Sequence, residues 1–503
     1  MSCIFIIDLG LYGFWGFRLD ATPIFYFFSS PKDAMASVSF WFILLGILAM
    51  LIYAAILYGI FYAVLIREKA PLKIPYQRQY VSLVLLLLTA ALFIPIRGGF
   101  SVSTMNLSKV YYSQNQRMNH AAINPAFSFM YSATHQNNFD KQYRFMDPKV
   151  ADELLTEMLD KPVAVTDSIP QILNTQRPNI IFIILESFST HLMETMGGQP
   201  NVAVNMDKFG KEGVLFTNFY ANSFRTDRGL ASIISGYPGQ PSTSIMKYPE
   251  KTDGLPSIPR SLKNAGYSLE YYYGGDADFT NMRSYLVSSG IEKIISETDF
   301  PLSERPGKWG APDHTLFQRF LKDLKEEKQQ EPFFKIVQTS SSHEPFEVPF
   351  YRLDDKVLNA FAYADSCVGD FVRQYKETPM WKNTLIVLVP DHLGAYPRPV
   401  ENPLEGHTIP LILIGGAVKE PRVVDTYASQ IDIAATLLSQ LGLPHDDFTF
   451  SKNIFNPSSP HFGYFTEPTL FGMVTAENQL VHNLDANTVQ IDEGTEKGAN
   501  LEK

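Results

Sequence analysis

Thr226 stands in the segment Ser223-Phe224-Arg225-Thr226-Asp227-Arg228-Gly229, ahead of Ser235-Gly236-Tyr237-Pro238. Upstream, an apolar run ends in Leu185-Glu186-Ser187, and downstream comes Pro390-Asp391-His392-Leu393-Gly394. A hydroxyl flanked in sequence by hard-oxygen and imidazole groups is how a metal-activated nucleophile for phosphoryl or sulfuryl transfer would be encoded. Each group also has a plainer reading. Glu186 would ligate a divalent cation at a sheet edge, or sit near a helix N-terminus where the dipole favours it. Asp391-His392 suit zinc or manganese, or form a turn with a helix cap. Thr226 alone is an ordinary capping residue, and its neighbours are what single it out.

These residues need a scaffold that brings them together. After Pro178, short β-branched and aromatic runs alternate with amphipathic segments. Buried strands are expected at Asn179 to Leu185, Tyr267 to Tyr273, Pro332 to Gln338, Thr384 to Val389 and Pro410 to Ile414. Helices are expected at Ile258 to Asn264, Thr315 to Lys325, Leu358 to Tyr375 and Gln430 to Leu441. Such alternation predicts an α/β fold with a mostly parallel sheet covered by helices on both faces. The strand ends lead to Glu186, Gly274-Gly275-Asp276, Ser341-Ser342-His343, Asp391-His392 and Gly415-Gly416. In open α/β sheets ligands bind outside the carboxyl ends of the strands, so all five are expected on one edge.

The amino-terminal part has a different composition. Ala34 to Ile66 and Gln79 to Ile96 contain no Asp, Glu, Lys or Arg, and each is long enough to cross a hydrocarbon core of about 30 Å. A shorter apolar stretch, Ile4 to Phe17, carries Asp8 and reads as the end of a membrane helix. The loop between the two full spans holds Arg67, Lys69, Lys73 and Arg78, against Arg18, Asp20, Lys32 and Asp33 in the preceding one. The positive-inside bias makes the richer loop cytoplasmic and sends everything after Ile96 across the membrane. The expected organisation is membrane helices over 1–97, a polar connector over 98–177 with a helix near Pro148 to Leu159, a catalytic domain over 178–460 and a carboxyl-terminal segment over 461–503. A net charge of -10 without a long Lys/Arg cluster argues against a nucleic-acid partner. Cys3 and Cys367, the 2 cysteines, suggest no disulfide framework.

The segment from Thr226 to Gly236, with its glycine turn ten residues after the threonine, resembles the sulfatase and alkaline phosphatase superfamily. Within it the chain is similar to lipoteichoic acid synthase-like phosphoglycerol transferases over roughly Ile180 to Leu443, together with the membrane helices. The matching stretches are Asn179 to Phe188, Arg225-Thr226-Asp227, Tyr273 to Asn281, Ser342-His343-Glu344-Pro345-Phe346 and Pro390-Asp391-His392. The resemblance implies an αβα sandwich in which Glu186, Thr226, Asp391 and His392 hold one divalent cation. Manganese is the usual ion of the family, with zinc or magnesium as alternatives. It further implies that Thr226 is the nucleophile that becomes phosphorylated and that His343 binds the phosphate or serves the leaving group. The implied donor is a membrane phospholipid and the implied acceptor a carbohydrate or glycerol phosphate. The implied location is a bacterial cytoplasmic membrane, multi-pass, with the catalytic domain outside.

The departures narrow the reading. A formylglycine-type sulfatase needs Cys or Ser in place of Thr226, with Pro and Arg two and four residues on, where this chain has Arg228 and Leu230. In Gram-positive lipoteichoic acid synthases the segment aligned with Tyr273 to Met282 supplies His, Trp and Arg contacts to glycerol phosphate, and here those places hold Tyr273, Thr280 and Met282. Arg228, Tyr273, Asp278, Arg283 and His407 are candidate substrate contacts, although loop charges are commonly just solvated and a lone His before a strand is commonly structural. Trp309 is expected to pack, with Asp313 capping the helix that follows. Three alternatives remain. One is phosphoethanolamine transfer, normally with two zinc ions and more histidines than the 10 present. Another is hydrolysis of a phosphate or sulfate ester, and the last an inactive membrane sensor or scaffold.

Overall fold

A computed structural model describes residues 2–15, 17–20, 40–66, 77–100, 102–135, 146–326, 329–392, 394, 396, 402–484 and 486–501. The chain divides into two compact units, Met1–Phe145 and Met146–Lys503.

The first unit is helical. Phe40–Val64 and Arg78–Arg97 are 25 and 20 residues long, with no part buried, and both are long and apolar enough to cross a membrane. A shorter helix, Ser2–Trp15, packs beside the first of these. Its acid is satisfied within the unit: Asp8 is buried, accepts from the Leu19 amide at 2.8 Å and pairs with Arg18 at 2.9 Å. The loop charges Arg67, Lys69, Lys73, Lys32 and Asp33, used above to orient the spans, lie outside the described residues. Gln116–Ala122 and Pro125–His135 are further helices that the polar composition of this stretch did not suggest.

The second unit is built on strands β1 (Asn179–Leu185), β2 (Val214–Phe216), β3 (Phe219–Tyr220), β4 (Ser268–Tyr273), β5 (Lys293–Ile295), β6 (Phe333–Gln338), β7 (Thr384–Pro390), β8 (Leu411–Ile414), β9 (Arg422–Val424) and β10 (Ala428–Ser429). Eight of them form one sheet in the order β5-β4-β6-β1-β7-β8-β2-β9. Every residue of β1 is buried, as its unbroken apolar run requires. Ile180, Phe182 and Ile184 face one helical layer, with Leu230, Ile233, Ile234, Ile433 and Leu438. Ile181, Ile183 and Leu185 face the other, with Phe317, Phe320, Phe361 and Phe371. The expected three-layer α/β fold is therefore the observed one, and its sheet is mostly parallel.

One strand runs the other way. β8 is antiparallel to both β7 and β2, while the remaining neighbours pair in parallel. This corrects the expectation for Gly415-Gly416. A Cβ on Gly415 would lie 2.1 Å from the carbonyl oxygen of Thr384, at the start of β7, so this turn sits at the edge opposite Glu186 and Asp391. Gly415 has φ +116, a conformation that favours glycine. The reversal instead brings the residues before β8, His407 and Thr408, to the edge where the parallel strands end.

The carboxyl-terminal segment is a four-stranded antiparallel sheet of β11 (Gly463–Glu467), β12 (Leu470–Val474), β13 (Asn478–Asn483) and β14 (Thr488–Gly494). Its first strand docks beside the threonine segment. Thr466 donates its amide to the Asn222 carbonyl at 3.0 Å, and the Ser223 hydroxyl donates to the Thr466 carbonyl at 3.1 Å.

Candidate active site

Sheet register brings the acids together. Leu185 pairs with Pro390, and Ile184 with Gln338, so Glu186, Asp391 and Thr339 emerge side by side at the carboxyl edge. Ligand atoms of Glu186, Asp391 and His392 all lie within 4.8 Å of one another. His392 Nε2 is 3.4 Å from Glu186 Oε1 and 3.7 Å from Asp391 Oδ2. Thr226 is the first residue of the helix Thr226–Ser235, and its Oγ1 lies 3.5 Å from Glu186 Oε2. The four residues separated by up to 206 positions in the sequence thus share one place.

The chain holds this cluster through its backbone. The Glu186 amide donates to Thr339 Oγ1 at 2.9 Å, and its carbonyl accepts from Ser342 Oγ at 2.7 Å. Ser187 adopts φ 55, which turns its amide onto Asp391 Oδ1 at 3.0 Å and its hydroxyl onto Glu186 Oε1 at 2.6 Å. Such a conformation is strained for a residue with a Cβ, and surrounding structure must impose it. Gln430 Nε2 donates to the Pro390 and Asp391 carbonyls at 2.7 and 2.9 Å. Gly229 lets the threonine helix seat against the same loop, because a Cβ there would lie 1.6 Å from the Asp391 carbonyl oxygen. None of Ser187, Thr339, Gln430 and Gly229 was singled out from the sequence, whereas Ser342 was expected at this edge beside His343. Of the four, only Gly229 left a signal there, as a glycine in the first turn of an otherwise good helix.

The electrostatics of the cluster are unbalanced. Burial alone would raise the Glu186 carboxyl, but the His392 imidazole, by hydrogen bond and charge, draws it down to about 2. Burial pushes Asp391 up to about 7, and the Glu186 charge beside it adds to the effect. Asp391 Oδ2 is buried without a hydrogen-bond partner among the described residues. Two buried carboxylates, an imidazole and a hydroxyl with one oxygen left over form a donor set that suits a divalent cation of the zinc, manganese or magnesium kind. The residues present fit such an ion.

Other candidates distribute around this centre. His343 lies on the loop after β6, close enough for its charge to lower Glu186. Its Nδ1 is 3.1 Å from the Glu344 carbonyl, and its ring lies 3.8 Å from that of Trp309, whose Nε1 donates to the same carbonyl at 2.7 Å. Trp309 therefore packs against the candidate histidine itself. Asp313 is not the helix cap expected for it. Its carboxylate turns back to accept the Ser340 and Ser341 amides at 2.9 and 3.3 Å, anchoring the His343 loop. Burial raises this carboxyl to about 6.

Tyr273, at the end of β4, is buried near the acids, and burial together with the Glu186 and Asp391 charges raises its hydroxyl far above the ordinary value. The hydroxyl therefore keeps its proton and is available as a hydrogen-bond donor. His407 is fully buried, stacks on Phe465 at 4.0 Å and donates Nδ1–H to the Pro403 carbonyl at 2.9 Å. Burial lowers it to about 4, so it is neutral, with Nε2 3.7 Å from Glu467 Oε1. Glu467, on the carboxyl-terminal sheet, was not anticipated as a neighbour of this edge.

Arg228, Asp278 and Arg283 are engaged within the fold. Arg228 Nε donates to the Gln240 carbonyl at 2.9 Å, and its guanidinium lies 4.5 Å from the Phe224 ring centroid. Asp278 pairs with Arg283 at 2.7 Å, and Arg283 also reaches Ser296 Oγ at 3.2 Å. Of the two other residues aligned with headgroup contacts, Met282 is buried in the core and Thr280 adopts φ 51.

Comparison with known proteins agrees with this architecture. A lipoteichoic acid synthase-like protein, YvgJ, of Bacillus subtilis (strain 168) is 23% identical over 311 residues, 55% of this chain and 50% of that protein. Phosphoglycerol transferase I of Xanthomonas campestris pv. campestris (strain B100) is 24% identical over 320 residues, 58% of this chain and 45% of that protein. The chain spans about half the length of these curated relatives. Among solved structures, a protein of the alkaline phosphatase superfamily from Vibrio parahaemolyticus superposes with a TM-score of 0.62 at 26% identity, covering 71% of this chain and 93% of that one. The lipoteichoic acid synthase LtaP from Listeria monocytogenes shares the fold, with a TM-score of 0.54 at 20% identity over 69% of this chain and 93% of that one. A family model described as sulfatase matches residues 178–443. That match takes in every strand of the central sheet and both halves of the acidic cluster, and by it the chain belongs to the sulfatase family.

Proposed function

We propose that this chain is a metal-dependent, membrane-anchored transferase that moves a phosphoglycerol-type headgroup from a phospholipid to an acceptor hydroxyl through a phosphothreonine at Thr226. The observation that carries the reading is the convergence of Glu186, Asp391 and His392 within 4.8 Å, with Thr226 Oγ1 3.5 Å from Glu186. Relatives named lipoteichoic acid synthase and phosphoglycerol transferase I support the choice of headgroup. The threonine excludes the formylglycine chemistry of sulfate-ester hydrolases within the same family.

Glu186, Asp391, His392 and Thr226 would hold the cation, most suitably manganese, which when bound lowers the pKa of a ligating hydroxyl and neutralises charge on the group transferred. Thr226 Oγ1, its proton released to solvent, attacks the phosphorus of the donor as the bond from phosphorus to the diacylglycerol oxygen breaks. Its place at the start of the Thr226–Ser235 helix points amide groups and the positive end of the helix dipole at the phosphate. His343 protonates the departing diacylglycerol oxygen. A carbonyl can only accept, so Nδ1 facing Glu344 carries a hydrogen and Nε2 is the nitrogen left for proton transfer. Tyr273 remains a hydrogen-bond donor to the phosphate oxygens. The acceptor hydroxyl, of a carbohydrate or glycerol phosphate, completes the second transfer. Two helices able to span a bilayer would keep the enzyme beside its lipid donor, and the basic composition of the loop between them supports a catalytic unit outside the cytoplasm.

The test is metal removal from the full chain in detergent with phosphatidylglycerol as donor. Chelation is expected to abolish release of diacylglycerol, with manganese restoring it better than zinc. Full turnover in chelator, or two tightly bound zinc ions per chain, would overturn the single-metal phosphoglycerol reading.

A further inference from the structure

His407 and Glu467 form a second cluster at the catalytic edge, one that the proposed chemistry at Thr226 does not use. His407 is fully buried and donates Nδ1–H to the Pro403 carbonyl, which leaves the lone pair on Nε2. That nitrogen is buried with no hydrogen-bond partner among the described residues, and it faces Glu467 Oε1 at 3.7 Å. Glu467 reaches it because side chains alternate along β11: Phe465 and Glu467 share one face, and Phe465 stacks on the imidazole. The strand is in turn fixed to the threonine segment through Asn222 and Ser223.

We infer that Glu467 and His407 form the subsite that reads the headgroup retained on phosphorus, and that they take the 1,2-diol of glycerol. The inference rests on the transferase reading for the donor and on this pair of acceptors for the headgroup.

Position comes first. In the sheet order β6-β1-β7-β8, the loop of His343 follows β6, Glu186 and Asp391 follow β1 and β7, and His407 stands just before β8. His343 and His407 therefore flank the acidic centre on opposite sides, and the His392 charge is felt at His407. A phosphodiester at the centre has two ester arms. With the diacylglycerol arm leaving toward His343, the arm that stays on phosphorus is directed to the other flank, where Glu467 stands. The β4 side offers that arm little: Met282 is buried in the core, and Asp278 and Arg283 pair with each other.

Hydrogen-bond polarity selects the ligand. The bare nitrogen of a neutral imidazole and a carboxylate can only accept, and among the described residues no lysine or arginine pairs with Glu467. Two acceptors that face each other call for donors, and a buried acceptor left unmet costs free energy that a donor recovers. Glu467 is 31% exposed, so a ligand meets its carboxylate from the solvent side, and rotation of that side chain opens the way to Nε2 behind it. Acceptors on two different side chains suit two hydroxyls on neighbouring carbons, with one bond to each. A headgroup without hydroxyls leaves both acceptors unmet.

The test uses the full chain in detergent with manganese and compares phosphatidylglycerol with phosphatidylpropanol, whose headgroup has the same carbon count and no hydroxyl. Wild type is expected to favour phosphatidylglycerol in kcat/KM, and Glu467→Leu to lower that preference at least about tenfold. If Glu467→Leu does not fold, Glu467→Gln replaces it, with a fall of about threefold or more expected because one acceptor oxygen remains. Equal use of the two lipids by wild type, or an unchanged preference in the folded variant, overturns the inference. So does a wild type that prefers phosphatidylethanolamine and loses that preference in the variant, since the pair would then read an ammonium. If wild type cleaves none of these lipids, the failure belongs to the transferase reading. Ligand-observed NMR in magnesium with glycerol 3-phosphate and propyl phosphate then decides the subsite. Tighter binding of glycerol 3-phosphate that disappears in the variant supports it, and equal binding by wild type, or a preference that persists in the variant, overturns it.

Discussion

Two charged sites lie in the same sheet, and they are built in opposite ways. In its middle, Glu270 of β4 stands directly across from Lys335 of β6 and pairs with it, and Tyr272 also donates to the Glu270 carboxylate. Burial alone would raise the Glu270 carboxyl, but the lysine outweighs it and holds the group below its ordinary value. At the carboxyl edge, Glu186 and Asp391 are buried as like charges, with one Asp391 oxygen unpartnered among the described residues. The first site is complete in the chain's own atoms. The second leaves a buried carboxylate oxygen over, which on the proposed reading a cation completes, and for that reason it is the one expected to act on a ligand.

The largest expected effect falls on the edge. Thr226→Ala is predicted to reduce diacylglycerol release from phosphatidylglycerol roughly a thousandfold or more, with unchanged melting temperature, because a partly buried hydroxyl is removed without opening the core. A variant that retains turnover would move the chain to the scaffold reading. In mid-sheet the expected damage is to stability. Glu270→Gln removes the carboxylate that faces the buried Lys335 ammonium, and is expected to destabilise the second unit by about 3 to 5 kcal/mol in denaturant titration. If the loss were below about 1 kcal/mol, the pair would not be buried in the way described.

The sharper contrast comes from the reverse sign. Asp391→Asn removes one of two like charges and retains an acceptor for the Ser187 amide. It is predicted to stabilise the metal-free protein by about 1 to 2 kcal/mol while abolishing turnover. Equal destabilisation of metal-free Asp391→Asn and Glu270→Gln would remove the distinction between the sites. The smallest effect is in acid. Because the folded Glu270 carboxyl is lowered, its stabilisation is present above its ordinary value of about 4.5 and is lost as pH falls through the folded value. Unfolding measured from neutral pH downward should therefore show a shallower acid loss in Glu270→Gln than in the wild type.

Legibility from sequence followed the same division. β1 and the helix Ile258–Asn264 have the expected bounds, since both are strongly patterned. β6 and β8 begin one residue after Pro332 and Pro410, because proline lacks the amide a ladder needs. The direction of β8 was not legible, since an apolar run carries no sign of its polarity, and this is why Gly415 was expected where His407 stands. The three-residue strands β2, β5 and β9 are too short to show a period. In the site, Glu186 and Asp391-His392 were visible because each follows an apolar run. Thr339 and Gln430 were not, because they act by bonding to backbone groups whose position only the fold sets. Asp313 carried the signature of a first-turn acid, and the tertiary structure used it instead to hold the loop of His343.

The central claim is that Thr226 carries the transferred group. Intact-mass spectrometry of the full chain in detergent, acid-quenched after incubation with manganese and phosphatidylglycerol, tests it most directly. The account predicts an adduct of one glycerol phosphate on the wild type and none on Thr226→Ala. No adduct on a protein shown to bind manganese, or an adduct that persists in Thr226→Ala, would contradict it.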